Sequence, residues 1–186
     1  MARLPYPEPE TLPQQCQEIL DALPDLNIFH MLAHAETALA PSLELGGTIL
    51  SRLELDPVSR ELVILLVAKL SEADYEWVQH VGIAEAIGIP GESVAAIERA
   101  DFDSPALDER SRALLRFTEQ ATTDPRVSNE TFANLRALFS PREIVETLMV
   151  IGYYLMLARV MTVLDIELDE AIGSRVIREA EHRQQP

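Results

Sequence analysis

Cysteine is almost absent from this sequence of 186 residues, which has a single one, Cys16. An intrachain disulfide and a redox cycle between two thiols of one chain are therefore excluded. Basic residues are also scarce, since 15 Lys and Arg stand against 31 Asp and Glu, a formal charge of −16. Because so acidic a surface repels phosphate groups and anionic lipid, we expect no nucleic-acid partner and no membrane partner. A site that binds an acid would need local cations of its own.

Glycine is rare too, with 7 residues, whereas Ala, Leu and Glu are common, and this composition favours an all-α fold. No signal-peptide core is visible near the N-terminus, and the longest uncharged apolar run, residues 147–158, is shorter than the ~20 residues that span a bilayer. We therefore expect a cytoplasmic protein. Residues 1–24 are predicted to form an extended arm and a short helix, and residues 25–186 a single all-helical domain.

Prolines and capping residues divide the chain into predicted helices. Asn27 is expected to cap a helix that ends at Leu39, and Pro41 to open the next one. A long apolar helix pair is predicted to begin after Ser140 and to end at Leu164. The other predicted helices cover residues 14–23, 56–70, 75–87, 91–100, 108–122 and 128–139, with a polar amphipathic tail helix over 169–181.

The segment 56–88 is predicted to be a helical hairpin that carries the chemistry. Glu76 and His80 are four residues apart, so they share one face of the second helix. Glu61 lies about as far before the turn as His80 lies after it, at about 1.5 Å of rise per residue. Two carboxylates and one imidazole are therefore expected to meet in a small volume. The apolar residues expected around it are Leu65, Leu66, Trp77, Val81 and Ile83.

An imidazole near neutral pKa can hold or release a proton at working pH, so this group predicts proton-transfer chemistry. We assign His80 as the general acid and base, Glu76 as its partner or a second proton carrier, and Glu61 as the group that orients them. The alternative is that Glu61 and His80 only form a hydrogen bond that closes the hairpin. Trp77 is interpreted as core or pocket wall, and Tyr75 as a helix start that could also contact substrate.

Three further residues are weaker candidates. His30 and His34 have the spacing of metal ligands, but no third ligand is near them in the sequence, so no metal site is predicted. Arg159 is isolated in an apolar stretch, where an unpaired charge is costly. Its expected role is a buried salt bridge, and the alternative is to hold a substrate carboxylate.

An internal echo is also visible. The residues from Asp56 to Val63 resemble those from Ser140 to Val145, and the residues from Tyr75 to Val81 resemble those from Tyr154 to Val160. This echo suggests two weakly related helical units packed together.

Five segments in order resemble the carboxymuconolactone decarboxylase family, which includes the alkylhydroperoxidase D-like proteins. They are Asn27-Ile-Phe-His-Met-Leu-Ala-His34, Leu55-Asp-Pro, Arg60-Glu61-Leu-Val, Tyr75-Glu-Trp-Val-Gln-His80 and Ile166-Glu-Leu-Asp169, and the resemblance covers residues 27–168. It implies an all-helical bundle that assembles as a homo-oligomer, commonly a trimer or hexamer. It implies a small-molecule substrate and no cofactor, and its setting makes His34 a candidate for the pocket.

The peroxidase branch of this family carries a glutamate and then Cys-x-x-Cys-x-x-x-His. Here the glutamate position is Glu61 and the histidine is His80, but Ala73 and Glu76 occupy the cysteine positions. Peroxidase activity is therefore disfavoured. The Glu-Trp-x-x-His form resembles the decarboxylase-like branch, whose reaction removes CO2 from a lactone acid of aromatic catabolism. The predicted function is a lyase of this kind, or a related isomerase or cyclase, and the remaining alternative is a non-catalytic oligomeric binding module.

Overall fold

A computed structural model describes residues 1–173, and within that range the chain is all-helical and has no strand. A short 3-10 helix, Pro9–Thr11, precedes nine α-helices. These are α1 (Gln14–Asp21), α2 (Asn27–Leu32), α3 (Glu36–Ser51), α4 (Pro57–Leu70), α5 (Asp74–Ala86), α6 (Gly91–Glu98), α7 (Glu109–Thr123), α8 (Asn129–Leu138) and α9 (Pro141–Val163).

The start of α4 and the start of α9 follow directly from the sequence. The Asp56 side chain accepts a hydrogen bond from the Ser59 backbone N–H at 2.9 Å, and Pro57 occupies the first helical position. Ser140 and Glu143 form a capping box at the start of α9, in which each side chain accepts from the backbone N–H of the other residue. Both predicted boundaries are therefore confirmed.

Helix α4 is the central element, and it packs against α5, α6, α7 and α9. One apolar cluster joins it to α7, α8 and α9, and a second joins it to α5, α6 and α7. Every residue from Ser59 to Ala68 is therefore buried, including the charged Arg60 and Glu61. Charged side chains at such positions need partners inside the protein.

The helix predicted from Asn27 to Leu39 is two helices instead. Helix α2 ends at Leu32, and α3 begins at Glu36 and continues through Pro41 to Ser51. Pro41 removes one backbone hydrogen bond near the start of α3, and burial of side chains such as Leu39 and Ile49 offsets this loss. Asn27 does not cap α2, because its side chain donates to Asp169 and to the backbone oxygen of Glu167.

The helix pair predicted between Ser140 and Leu164 is a single continuous helix, α9. The second half of the internal echo therefore lies on one helix, whereas the first half spans the turn between α4 and α5. By length and composition alone α9 could cross a membrane. Half of its most apolar window is buried inside the bundle.

The two ends of the described chain lie against each other. The Tyr6 hydroxyl donates to Glu167 at 2.7 Å, and the Ala2 backbone N–H donates to the same carboxylate at 2.8 Å. Residues 169–173 of the predicted tail helix are not helical, and the rest of that prediction lies outside the described residues. The division into an arm and one domain at residue 24 stays a prediction.

Candidate active site

The α4–α5 hairpin brings Glu61 and His80 into direct contact. His80 Nδ1 lies 2.7 Å from Glu61 Oε2, and the two side chains come from antiparallel helices that face each other. Glu61 is 0% exposed and His80 7% exposed, so bulk water does not screen this contact. The two residues therefore meet, as the spacing around the turn predicts. Their catalytic roles stay a prediction.

Arg60 is a third member of this buried group, and the sequence reasoning missed it. Its Nε donates to Glu61 Oε1 at 3.1 Å, and one terminal nitrogen donates to the Leu50 backbone oxygen at 2.7 Å. The Arg60 side chain is 4% exposed, so Glu61 is held between a guanidinium on one oxygen and an imidazole on the other. Two adjacent charges inside the apolar sequence of α4 were the available signal.

Glu76 lies close by but has no such partner. The residue is 2% exposed, and neither of its carboxyl oxygens has a hydrogen-bond partner within residues 1–173. Burial, and secondarily the negative charge of Glu61, raise the pKa of Glu76 well above its ordinary value of 4.5. The Glu76 carboxyl therefore keeps its proton at pH values where an exposed glutamate has lost it.

A cavity of about 100 Å³ adjoins His80 and Glu76. Helices α2, α3, α5 and α9 contribute most of its wall, and most of that wall is apolar. Of the apolar residues expected around the site only Ile83 lines the cavity; Leu65, Leu66, Trp77 and Val81 belong to the cluster between α4 and α6. The lining residues are Leu23, Leu26, Ile28, Phe29, Leu32, Leu43, Gly46, Gly47, Leu50, Tyr75, Glu76, Gln79, His80, Ile83, Tyr153, Tyr154, Leu157 and Met161.

Two tyrosines of α9, which the sequence reasoning did not select, complete the polar part of the wall. The Tyr154 ring meets the His80 ring edge-on with centroids 5.0 Å apart, and the Tyr153 ring meets Tyr154 in the same way at 5.5 Å. Burial raises the pKa of Tyr153 to about 12, with a further contribution from Glu76. Both phenols are therefore neutral at ordinary pH. Their position on a long apolar helix gave no sign of this role.

Tyr75 lines the cavity with its ring, but its hydroxyl is already engaged. The hydroxyl donates to Asp169, and burial together with this carboxylate raises the pKa of Tyr75. Gln79, on the next turn of α5, donates to the backbone oxygens of Asp169 and Glu170. The segment that follows α9 is thereby fixed against the first turns of α5.

The remaining candidates lie away from the cavity. His34 is exposed and has Nε2 2.8 Å from the Pro5 backbone oxygen, while His30 contacts Asp25 at 2.7 Å. Arg159 is exposed and makes no ion pair with the residues described, so the expected buried salt bridge is wrong. Trp77 packs in the α4–α6 cluster. The part of the chain described contains no cluster of three or more His, Cys, Asp or Glu that could hold a metal ion.

The fold is the all-helical fold of the alkylhydroperoxidase D-like proteins. A peroxidase-related protein with an alkylhydroperoxidase AhpD core from Ralstonia eutropha JMP134 superposes with a TM-score of 0.77 at 18% identity, over 90% of this chain and 92% of that one. A peroxidase-related protein from Silicibacter sp. TM1040 gives a TM-score of 0.76 at 18% identity, over 90% of each chain.

A cysteine-to-alanine variant of the debrominase Bmp8, in complex with 2,3,4-tribromopyrrole, gives a TM-score of 0.69 at 18% identity, over 92% of this chain and 90% of that one. By sequence, no model of a known protein family and no curated protein matches this chain. At these identities the likeness shows the fold alone, and the function has to be argued from the site.

Proposed function

We propose that this protein is a proton-transfer enzyme that uses no thiol, with His80 as general acid and base, acting on a small carboxylated or lactone substrate. Decarboxylation of a lactone acid is the first reaction to test. The observation that carries the proposal is the 2.7 Å contact between His80 and Glu61 beside an apolar cavity. The contact occupies Nδ1, so Nε2 is the ring nitrogen left for a substrate.

The buried charges around His80 suit this role. The Arg60 guanidinium bonds Glu61, so the carboxylate is supported when the imidazole is neutral and can also stabilise the imidazolium when a proton arrives. With Nδ1–H donating to Glu61, neutral His80 presents Nε2 as a base, and protonated His80 presents Nε2–H as an acid. The rigid α4–α5 packing fixes the orientation of the ring.

In the proposed reaction the substrate carboxylate leaves as CO2, and the electron pair of the broken C–C bond passes into the conjugated carbonyl group. The resulting dienolate takes a proton from His80 Nε2–H at carbon, and His80 regains a proton from water or from Glu76. The apolar wall of the cavity favours this step, because charge moves from a localised carboxylate to a delocalised anion. Neutral Glu76 serves as the second proton carrier.

A thiol peroxidase is the disfavoured alternative. Cys16 lies in a separate cluster with Leu12, Ala33 and Leu39, and its thiol contacts the Glu36 backbone oxygen at 3.6 Å. It is not among the residues that line the cavity. A non-catalytic module with a closed site is also disfavoured, because a cavity adjoins Glu76 and His80.

We further propose that the protein is a homo-oligomer, with a trimer or hexamer as the expected state. Apolar side chains on one side of α9 support this proposal, because several of them are exposed, including Val145, Leu148, Met149 and Met156. Light scattering coupled to size-exclusion chromatography tests it, and a monomer at micromolar concentration would contradict it.

The central experiment is a screen of small lactone acids for CO2 release, followed by variants with an active substrate. His80→Gln should lower kcat by at least about 100-fold, the range expected for loss of a general acid or base. The matched control is His30→Gln, which removes a surface histidine from the same protein and should leave turnover unchanged. Unchanged turnover in His80→Gln would refute the assignment, and peroxide consumption with a dithiol reductant would support the disfavoured alternative.

A further inference from the structure

Two neutral hydrogen-bond donors adjoin the cavity beside His80, and neither has a hydrogen-bond partner among the residues that the structure describes. Glu76 has both carboxyl oxygens buried and unpaired, and the Tyr153 hydroxyl makes no hydrogen bond to any residue between 1 and 173. Buried polar groups are nearly always hydrogen-bonded, so the unpaired Glu76 carboxyl, with the Tyr153 hydroxyl on the same small cavity, indicates the place of a ligand atom. These donors belong to the same site as the proposed chemistry.

Gly46 gives independent geometric support for the position of Tyr153. A Cβ atom added at Gly46 would lie 2.9 Å from Tyr153 Cζ and closer still to the hydroxyl oxygen. Gly46 is buried in the middle of α3, where glycine costs about 1 kcal/mol relative to alanine. Its backbone does not adopt a positive φ, so backbone conformation does not require glycine there. The close approach of the Tyr153 hydroxyl does require it.

We propose that Tyr153 and Glu76 together bind the carbonyl oxygen of the substrate and stabilise the negative charge that develops on it. This proposal rests on the proposed function and assigns its substrate class: a small, single-ring lactone or ketone whose carbanion is conjugated with the carbonyl group. The electron pair released at carbon moves onto the carbonyl oxygen, His80 Nε2–H delivers the proton to carbon, and both donors hold their own protons while the oxygen carries the charge. Glu76 passes its proton to His80 only after the product has formed, and it regains one from water.

The chemistry of the two donors selects this ligand. A phenol and a neutral carboxyl in an apolar wall are the donor pair that stabilises an enolate oxygen without a net positive charge. No Lys or Arg is among the described residues that line the cavity, so protonated His80 is the cation there for one ligand carboxylate, and a ligand with a second ionised group would be poorly bound. The cavity of about 100 Å³ matches one ring with few substituents.

A stable phenol tests the donor pair without turnover. 4-Nitrophenol carries an oxygen that becomes anionic, and the visible absorbance of its anion reports both binding and ionisation. The wild-type protein should bind it saturably, and Tyr153→Phe should weaken binding about tenfold or more, since one hydrogen bond to a charged oxygen is lost. Gly46→Ala, which displaces the Tyr153 hydroxyl, should weaken binding in the same way. Tyr6→Phe is the matched control, because Tyr6 bonds Glu167 outside the cavity.

Wild-type affinity in Tyr153→Phe, or absence of binding to the wild-type protein, would each overturn the proposal. His80→Gln should still bind 4-nitrophenol while losing turnover, so failure of the proposed reaction and failure of the donor pair give different results.

Discussion

Replacement of Glu76 by glutamine removes an ionisable group from the cavity and nearly preserves its shape. The raised pKa of Glu76 means that the folded protein holds a proton which the unfolded chain releases above its ordinary value of 4.5. The stability associated with neutral Glu76 is therefore fully present below pH 4.5 and is lost as the pH rises towards the folded-state pKa. Glutamine cannot ionise, so Glu76→Gln lacks this loss.

The size of this pH-dependent loss of stability is set by the one proton that folded Glu76 holds and the unfolded chain releases. Between the two pKa values, the free energy of unfolding of the wild type should fall by about 1.4 kcal/mol per pH unit relative to Glu76→Gln. Below pH 4.5 the two proteins should differ little, because both side chains are then neutral. The difference should stop growing once the pH exceeds the folded-state pKa.

Urea denaturation at a series of pH values, followed by Trp77 fluorescence or circular dichroism, measures this difference. The many other carboxylates titrate in both proteins and cancel in the comparison. Glu85→Gln is the matched control, because it removes an exposed glutamate from the same helix. A wild-type-minus-variant difference that stays constant with pH would refute the reasoning, since it would mean that folding leaves the pKa of Glu76 unchanged.

Three further variants test the buried contacts. Glu61→Ala should destabilise the protein by about 3–5 kcal/mol in thermal denaturation, because it leaves the buried charge of Arg60 uncompensated. A much smaller loss would contradict this and would mean that Arg60 is hydrated in the variant. Glu76→Leu should raise the free energy of unfolding by about 1–3 kcal/mol at neutral pH, as judged by urea titration, while abolishing turnover. Asp169→Ala should lower the free energy of unfolding by at least about 1.5 kcal/mol, because the Tyr75 hydroxyl loses its acceptor. Backbone amide hydrogens in the first turn of α5 should also exchange faster, and exchange as slow as in the wild type would contradict this.

Capping residues and helical spacing, which depend only on neighbouring residues, were sufficient to predict the helical hairpin. Asp56 with a following proline marks the start of α4, and the distances of Glu61 and His80 from the turn place them opposite each other. The same rules failed at Pro41, because they assign proline to a helix start while the packing of α3 tolerates it inside the helix. They also failed between Ser140 and Leu164, where no turn interrupts the apolar sequence.

The residues that line the cavity could not be predicted from capping and helical spacing. Gly46 and Tyr153 are far apart in the sequence and meet only because the fold brings the Tyr153 side chain of α9 against α3 at the cavity, so neither residue carries a local signal of its role. The adjacent charges of Arg60 and Glu61 were visible in the sequence, but their burial was not, because the burial of residues 59–68 depends on helices that follow α4 in the chain.

The sequence by itself determined the all-helical architecture, the helix starts at Asp56 and Ser140, and the contact between Glu61 and His80 on the hairpin, because each depends on spacing within one or two helices. Only the tertiary structure decided which residues line the cavity beside His80, and that Glu76 is buried without a hydrogen-bond partner among residues 1–173. Those properties depend on contacts between distant segments, and the spacing of residues along the chain does not encode them in a form that can be read directly.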